Sequence, residues 1–310
     1  MNYHYLFLKI MKDFQENYSY LKFKKHKTKY LVKKYGKKFQ EIFDKEDFVK
    51  ELIKILSLFK DPHISVNSIR TYGDNLGKNY DYKLLFGKYF ENKFLFRNKV
   101  GFIGFYDDIL YINIFTWRNS SKNEINKLLS FFEKTVKKNN PKKIIVDIRS
   151  NRGGSDRFSS KFLSYFVPKK IAVCKYLFRK SKKNFNQIGD GQTRFQEPNK
   201  IQINAKVAVL IGKMCMSSNE YLVMGFEALK KISSNFILIG DKTFGSSGNP
   251  QIFKYKEKFE IKIPSWICYT SEGKLFEGNG VSPDIKISSK KSIINSKDKV
   301  FEKAINILNI

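Results

Sequence analysis

Several residue types are scarce in this chain, and each shortage narrows its chemistry. The three cysteines, Cys174, Cys215 and Cys268, are odd in number and far apart, which excludes a disulfide framework and a CxxC metal pair. The three histidines, His4, His26 and His63, are too scattered for a zinc site. No apolar run approaches the ~18 residues of a membrane span. The opening stretch, MNYHYLFLKIMKDF, is broken by Lys9 and Lys12 and lacks a small-residue cleavage site, so it does not read as a signal peptide. With Met1 as the native start the chain would be cytoplasmic; with a leader ahead of it, extracytoplasmic. No phosphate loop is present, since neither GxxxxGK(S/T) nor GxGxxG occurs.

What is there suffices for a real core. Of 310 residues, 42% are hydrophobic and 15% aromatic, which excludes disordered and collagen-like classes. The length suits two domains or one elaborate one. Charge is the outlier: 59 Lys plus Arg face 29 Asp plus Glu, a net +30. Arg accounts for eight of these, leaving 51 Lys, and Ala occurs five times. That usage is expected of a genome favouring A and T, with lysines tolerated at the surface. Binders that read phosphate or base edges lean on Arg, and the basic residues are spread over the whole chain. Nucleic acid is therefore disfavoured as a partner. The charge suggests instead a substrate cleft that favours acidic peptides.

The first sixty residues read as helices. Phe48, Leu52, Ile55, Leu56 and Phe59 share one helical face, Asp44 is its N-cap, and the helix must stop near Asp61-Pro62. Residues 2–17 and TKYLVKKYGKKFQEIF read as two more. Between Ile64 and Val100 the pattern is mixed, with turn residues at Tyr72-Gly73-Asp74. GFIGFYDDILYINIFTW reads as a hairpin around Asp107-Asp108. An α/β succession follows, in which Ser121 and Glu124 form a capping box and a helix ends before Pro141. Strands KKIIVDI, KVAVLIG and NFILIGD each run into a turn, which implies a largely parallel sheet with functional turns at its strand ends. Strands around KFEIKI and PSWICY and a helix over 297–308 complete the chain. The expected division is a helical subdomain, 1–62, and a β/α core, 63–310.

Four features could carry chemistry. Ser217 follows a buried strand and opens a helix, where a nucleophile would be presented beside free N–H groups such as that of Ser218. Ser217-Ser-Asn-Glu220 is equally a capping box, and most such serines only cap. A serine nucleophile needs a base; His63 is the candidate, since His4 and His26 read as surface residues. His63 by itself also suits an ordinary helix end. Gly153-Gly154 lets backbone approach a ligand closely or merely makes a tight turn. Glu277, in LFEGNGVSPD, could orient a histidine or simply occupy a turn.

Taken in order, these segments resemble the C-terminal processing (tail-specific) serine peptidases, in the branch that holds the tricorn protease core and the interphotoreceptor retinoid-binding modules. LFKDPHISV, IIVDIRSNRGG, VAVLIGKMCMSSNE, LIGDKTFGSSGNP and FEGNGVSPDI carry the resemblance, which runs from about Asp13 to the C-terminus. It implies a crotonase- and ClpP-like β/α core and a serine endopeptidase acting through an acyl-enzyme. Ser217 would attack the scissile carbonyl, His63 would serve as base, and Glu277 as distal acid. Gly153 or Gly154, with Ser218, would form the oxyanion hole. No cofactor or metal is implied, and the partner is a peptide or protein substrate. The alternative is a catalytically inactive member that binds a ligand or peptide. The chain also departs from the pattern. Ser246 stands where the Ser-Lys branch has lysine after Thr-Phe-Gly, leaving Lys242 as a runner-up base. Pro62 replaces the serine that links the histidine to the acid in tricorn. Arg152 replaces a small residue, and either attracts a substrate carboxylate or faces solvent. No PDZ-like module fits after His63.

Overall fold

A computed structural model describes residues 2–25, 27–73, 89–90, 94–178, 191–288, 293–294 and 297–310. Helices used below are α1 Tyr3–Asn17, α2 Thr28–Tyr35, α3 Lys45–Ser57, α4 Lys122–Asn139, α5 Asp156–Ser164, α6 Ser218–Lys230 and α7 Lys299–Leu308. Strands are β1 Ser65–Val66, β2 Ile69–Arg70, β3 Phe96–Asn98, β4 Gly101–Tyr106, β5 Ile109–Ile114, β6 Lys143–Asp147, β7 Ile171–Phe178, β8 Gln192–Gln196, β9 Lys206–Ile211, β10 Phe236–Gly240, β11 Pro250–Lys254, β12 Glu260–Pro264, β13 Trp266–Thr270 and β14 Ile285–Lys286. The chain divides into two compact units, each assembled from separate stretches of sequence.

Unit 1 comprises Met1–Asn75, Lys175–Gln192 and Ser246–Tyr269. Its helices form where the apolar period predicts. Asp44 caps α3 by accepting the N–H groups of Glu46 and Asp47 at 2.6 and 3.1 Å, and Phe48, Leu52, Ile55 and Leu56 are buried. Past the helix, Lys60 takes a left-handed conformation (φ 50°), and Pro62 prevents its resumption. Aromatic rings bind the helices together: Phe7 stacks on Phe39 at 4.0 Å, and Phe14 meets Phe59 at 4.6 Å. An antiparallel sheet, in the order β11-β12-β1-β2, completes the unit. The turn expected at Tyr72-Gly73-Asp74 lies partly outside the described residues.

Unit 2 comprises Leu76–Cys174, Thr193–Gly245 and Thr270–Ile310. Its seven-stranded sheet has the order β14-β10-β9-β6-β5-β4-β3. From β14 to β5 the strands are parallel, as the strand–turn–helix succession demands, while β5, β4 and β3 are antiparallel. The expected hairpin turns at Asp107-Asp108, with Tyr106 opposite Ile109. One sheet face packs Tyr111, Ile145, Ala208 and Ile239 against Val300, Phe301 and Ala304 of α7. Elsewhere in this unit Phe132, Phe162, Phe166 and Phe226 of α4, α5, α6 and the turn after α5 interlock edge-on or tilted. The expected capping box at α4 does not form, because Ser121 makes no side-chain cap and Glu124 pairs with Lys127 at 3.2 Å. Asn140, left-handed at φ 41°, ends that helix before Pro141.

At the end of β6, Arg149 is buried between two carboxylates. Its Nη2 lies 2.6 Å from Asp147 and 2.7 Å from Asp298, and Tyr111 donates to Asp147 at 2.7 Å. Asp298 in turn caps α7 through the N–H groups of Val300 and Phe301. Two buried anions and one bidentate cation thus pin the strand end from which the glycine turn departs.

Candidate active site

Beyond β9 the chain turns sharply before α6, and the turn is held on every side. Cys215 donates its thiol to the Ile148 carbonyl at 3.1 Å. Burial, with the charges of Glu220 and Asp147 nearby, pushes that thiol well above its ordinary pKa, so it stays protonated. Asn219 donates to the same carbonyl at 3.1 Å and accepts the Trp117 indole N–H at 3.1 Å. Ser217 sits at the apex with φ 59° and ψ −132°. A capping serine has extended backbone and accepts an N–H within the first turn; Ser217 does neither. Glu220 does not close a capping box either: its buried carboxylate accepts the Gly245 N–H at 2.6 Å, fastening the turn after β10 to the start of α6. A side-chain-bearing residue with positive φ is strained by about 1–3 kcal/mol. Here the surrounding bonds hold it, and they present Ser217 Oγ ahead of a helix N-terminus.

Gly153 and Gly154 pass directly against this turn. At Gly153 (φ 85°) a Cβ would fall 2.6 Å from the Met216 oxygen and 2.8 Å from Ser217 Cβ; at Gly154 (φ 146°) it would lie 2.2 Å from the Trp117 carbonyl carbon. Both positions therefore need glycine, for space and for backbone angle. The Gly153 N–H is already taken by Asn151 Oδ1 at 2.8 Å. The N–H groups of Gly154 and Ser218 have no hydrogen-bond partner among the described residues. Glu277, also in unit 2, is buried in a turn tied by Gly278 N–H to the Gly245 carbonyl at 2.7 Å. Arg152 is half-buried.

His63 belongs to unit 1. Its Nδ1 lies 2.7 Å from Ser246 Oγ and 3.6 Å from Asp61 Oδ1. The Asp61 carboxylate also accepts the His63 N–H at 2.9 Å and the Tyr18 hydroxyl at 2.9 Å. Full burial would raise Asp61, but hydrogen bonding and charge from His63, helped by Lys24, outweigh it and hold the carboxyl below its usual range. With Ser246 and Asp61 both at Nδ1, a proton carried on that nitrogen would leave the Nε2 lone pair for use as a base.

His4 is half-buried, its Nδ1 on the Gly36 carbonyl at 3.0 Å, so it is tied into unit 1 instead of being a free surface group. His26 lies outside the described residues. Lys242 is exposed, without the burial that a lysine base requires. Sequence reasoning passed over Ser246 as a histidine partner, and Asn219 and Trp117 as supports. A serine or asparagine carries no such signal until folding chooses its neighbour. Asp61 was visible only as part of the Asp-Pro-His segment.

The family model described as Peptidase family S41 matches residues 108–287, a span that contains Gly153, Gly154, Ser217 and Glu277. The nisin-resistance protein of Lactococcus lactis subsp. lactis is 27% identical over 191 residues, 59% of this chain and 57% of that protein. A probable CtpA-like serine protease of Staphylococcus haemolyticus is 25% identical over 181 residues, 57% of this chain and 34% of that protein. The matches thus span between a third and three fifths of these relatives' own length. Among solved structures, a putative peptidase from Parabacteroides merdae has a TM-score of 0.79 at 19% identity, with 98% of this chain and 96% of that one covered. A lipoprotein from Streptococcus agalactiae has a TM-score of 0.66 at 14% identity, with 100% and 96% covered; both likenesses speak to the fold. With more than half of its length matched by that model, the chain belongs to peptidase family S41.

Proposed function

We propose that this protein is a serine endopeptidase in which Ser217 forms an acyl-enzyme and His63 is the base. The observation that carries the proposal is the backbone of Ser217, held at positive φ by a buried network and not used as a cap. Ser217 Oγ would attack the scissile carbonyl as Nε2 of His63 takes its proton and later returns it to the leaving amine. The N–H groups of Gly154 and Ser218, without a partner among the described residues, suit the developing oxyanion. Removal of one such donor typically costs about 100- to 1,000-fold in turnover. Gly153 serves the turn through its lack of a side chain, while Asn151 occupies its N–H.

Ser246 and Asp61 contact His63, and we give them the orienting role on that ground. The family resemblance assigns the distal acid to Glu277, and paired variants separate the two. The substrate would be a peptide or protein. The net charge of +30, with Arg152 next to the glycine pair, favours acidic peptides over basic ones.

Fluorophosphonate labelling tests the proposal. The wild type should be phosphonylated at Ser217, with loss of fluoride, and Ser217→Ala should not. Equal labelling of the two folded proteins would leave the alternative, a catalytically inactive binding member of the fold.

A further inference from the structure

Lysine is abundant everywhere in this chain, but it is not evenly spread. Residues 22–38 contain nine lysines and no Asp or Glu, where the chain average would place about three lysines. Codon usage raises the average; it does not account for a threefold local excess without acidic residues. The excess also has a defined face. Along α2, Lys29, Tyr30, Lys33 and Lys34 are exposed, whereas Thr28 and Leu31 are buried. Lys25, Lys29, Lys33 and Lys37 have no ionic or hydrogen-bond partner among the described residues; Lys38, by contrast, pairs with Glu51 at 2.7 Å. Aromatic rings lie open among the cations. Tyr30 is 52% exposed and Phe23 42%, with Lys34 and Lys22 over them at 5.8 and 4.8 Å.

Beside this face, α1 and α2 enclose a groove of about 520 Å³. Leu8, Met11 and Val32 form its apolar floor, and Lys12, Lys29 and Lys33 stand around it with the acidic Glu16. Cations around an apolar groove, with exposed aromatic rings in the same segment, match the boundary between phosphate headgroups and hydrocarbon. The first arginine of the chain is Arg70, so this face lacks the bidentate donor that nucleic-acid recognition favours. We propose that the Lys22–Lys38 face docks unit 1 on a bilayer surface rich in anionic phospholipid.

The test is co-sedimentation of the full chain with vesicles of phosphatidylcholine alone and of one-third phosphatidylglycerol in phosphatidylcholine. Binding should need phosphatidylglycerol and weaken as salt is raised. Each juxtaposed lysine is worth about fivefold, so replacing Lys25, Lys29, Lys33 and Lys37 by Gln together should cost on the order of several hundredfold. A charge-matched control, Lys122, Lys127, Lys134 and Lys138→Gln on α4, should retain most of the binding. Phe23→Ser with Tyr30→Ser should weaken what survives at high salt. Equal loss in the control would show a generic charge effect and overturn the proposal. Equal binding to neutral vesicles, or tighter binding to generic RNA than to anionic ones, would do the same. None of these readouts depends on peptidase activity.

Discussion

Asp61→Asn removes one charge from beside the proposed base and keeps the side chain's size. In the proposed mechanism His63 would become an imidazolium during attack, and Asp61 Oδ1 lies 3.6 Å from its Nδ1. At an effective dielectric of about 20 that pair is worth about 4–5 kcal/mol. The histidine side chain is 12% exposed, so water recovers part of this, leaving about 3 kcal/mol. That corresponds to roughly a 100-fold slower nucleophilic step. The assay is the second-order rate of fluorophosphonate labelling at neutral pH, which needs an activated Ser217 but no known peptide substrate. Asp61→Asn should label about 100-fold more slowly, with circular dichroism and urea unfolding confirming that it is folded. Ser246→Ala should slow labelling by a smaller factor, since it removes a neutral partner. Glu277→Gln supplies the comparison. A folded Asp61→Asn that labels within fivefold of wild type, while Glu277→Gln loses 100-fold, would refute the reasoning and return the acid's role to Glu277.

Other expectations follow from the same contacts. Gly153→Ala places a methyl 2.6 Å from the Met216 oxygen at φ 85°, and should abolish labelling even where the protein still folds. Arg149→Met leaves Asp147 and Asp298 buried without their cation, and should lower stability by about 3–5 kcal/mol in denaturant titration. Because the folded-state pKa of Asp61 is depressed, its contribution to stability is complete above the ordinary carboxylate value near 4 and is lost as pH falls through the lower folded value. The stability gap between wild type and Asp61→Asn should therefore close as the pH falls below about 4. A gap that widened below about pH 4 would contradict the sign.

Local order was legible where one rule acted alone. The apolar period of Phe48, Leu52, Ile55 and Leu56, the cap at Asp44, and the two-residue turn at Asp107-Asp108 depend on residues within a few positions of each other. The predicted box at Ser121 failed because a side-chain cap competes with ion pairing and local backbone geometry, and sequence spacing does not rank them. Ser217-Ser-Asn-Glu220 shows the same ambiguity with more at stake. One string of residues permits a capping box or a strained turn at positive φ, and the choice fell to the Gly245 N–H that takes the Glu220 carboxylate.

By itself, the sequence determined the family, the α/β class and the ordered segments around His63, Gly153-Gly154, Ser217 and Glu277, because motifs and short-range periodicity survive without coordinates. Tertiary structure decided which atoms meet. It put Ser246 on His63 Nδ1 across 183 residues of sequence, bonded the Tyr18 hydroxyl to Asp61, occupied the Gly153 N–H, and gathered 175–192 and 246–269 into one unit with the first 75 residues. Hydrogen bonds and buried charges are satisfied by whatever partner folding brings within about 3 Å, and that partner is specified by the whole packing, not by its neighbours along the chain.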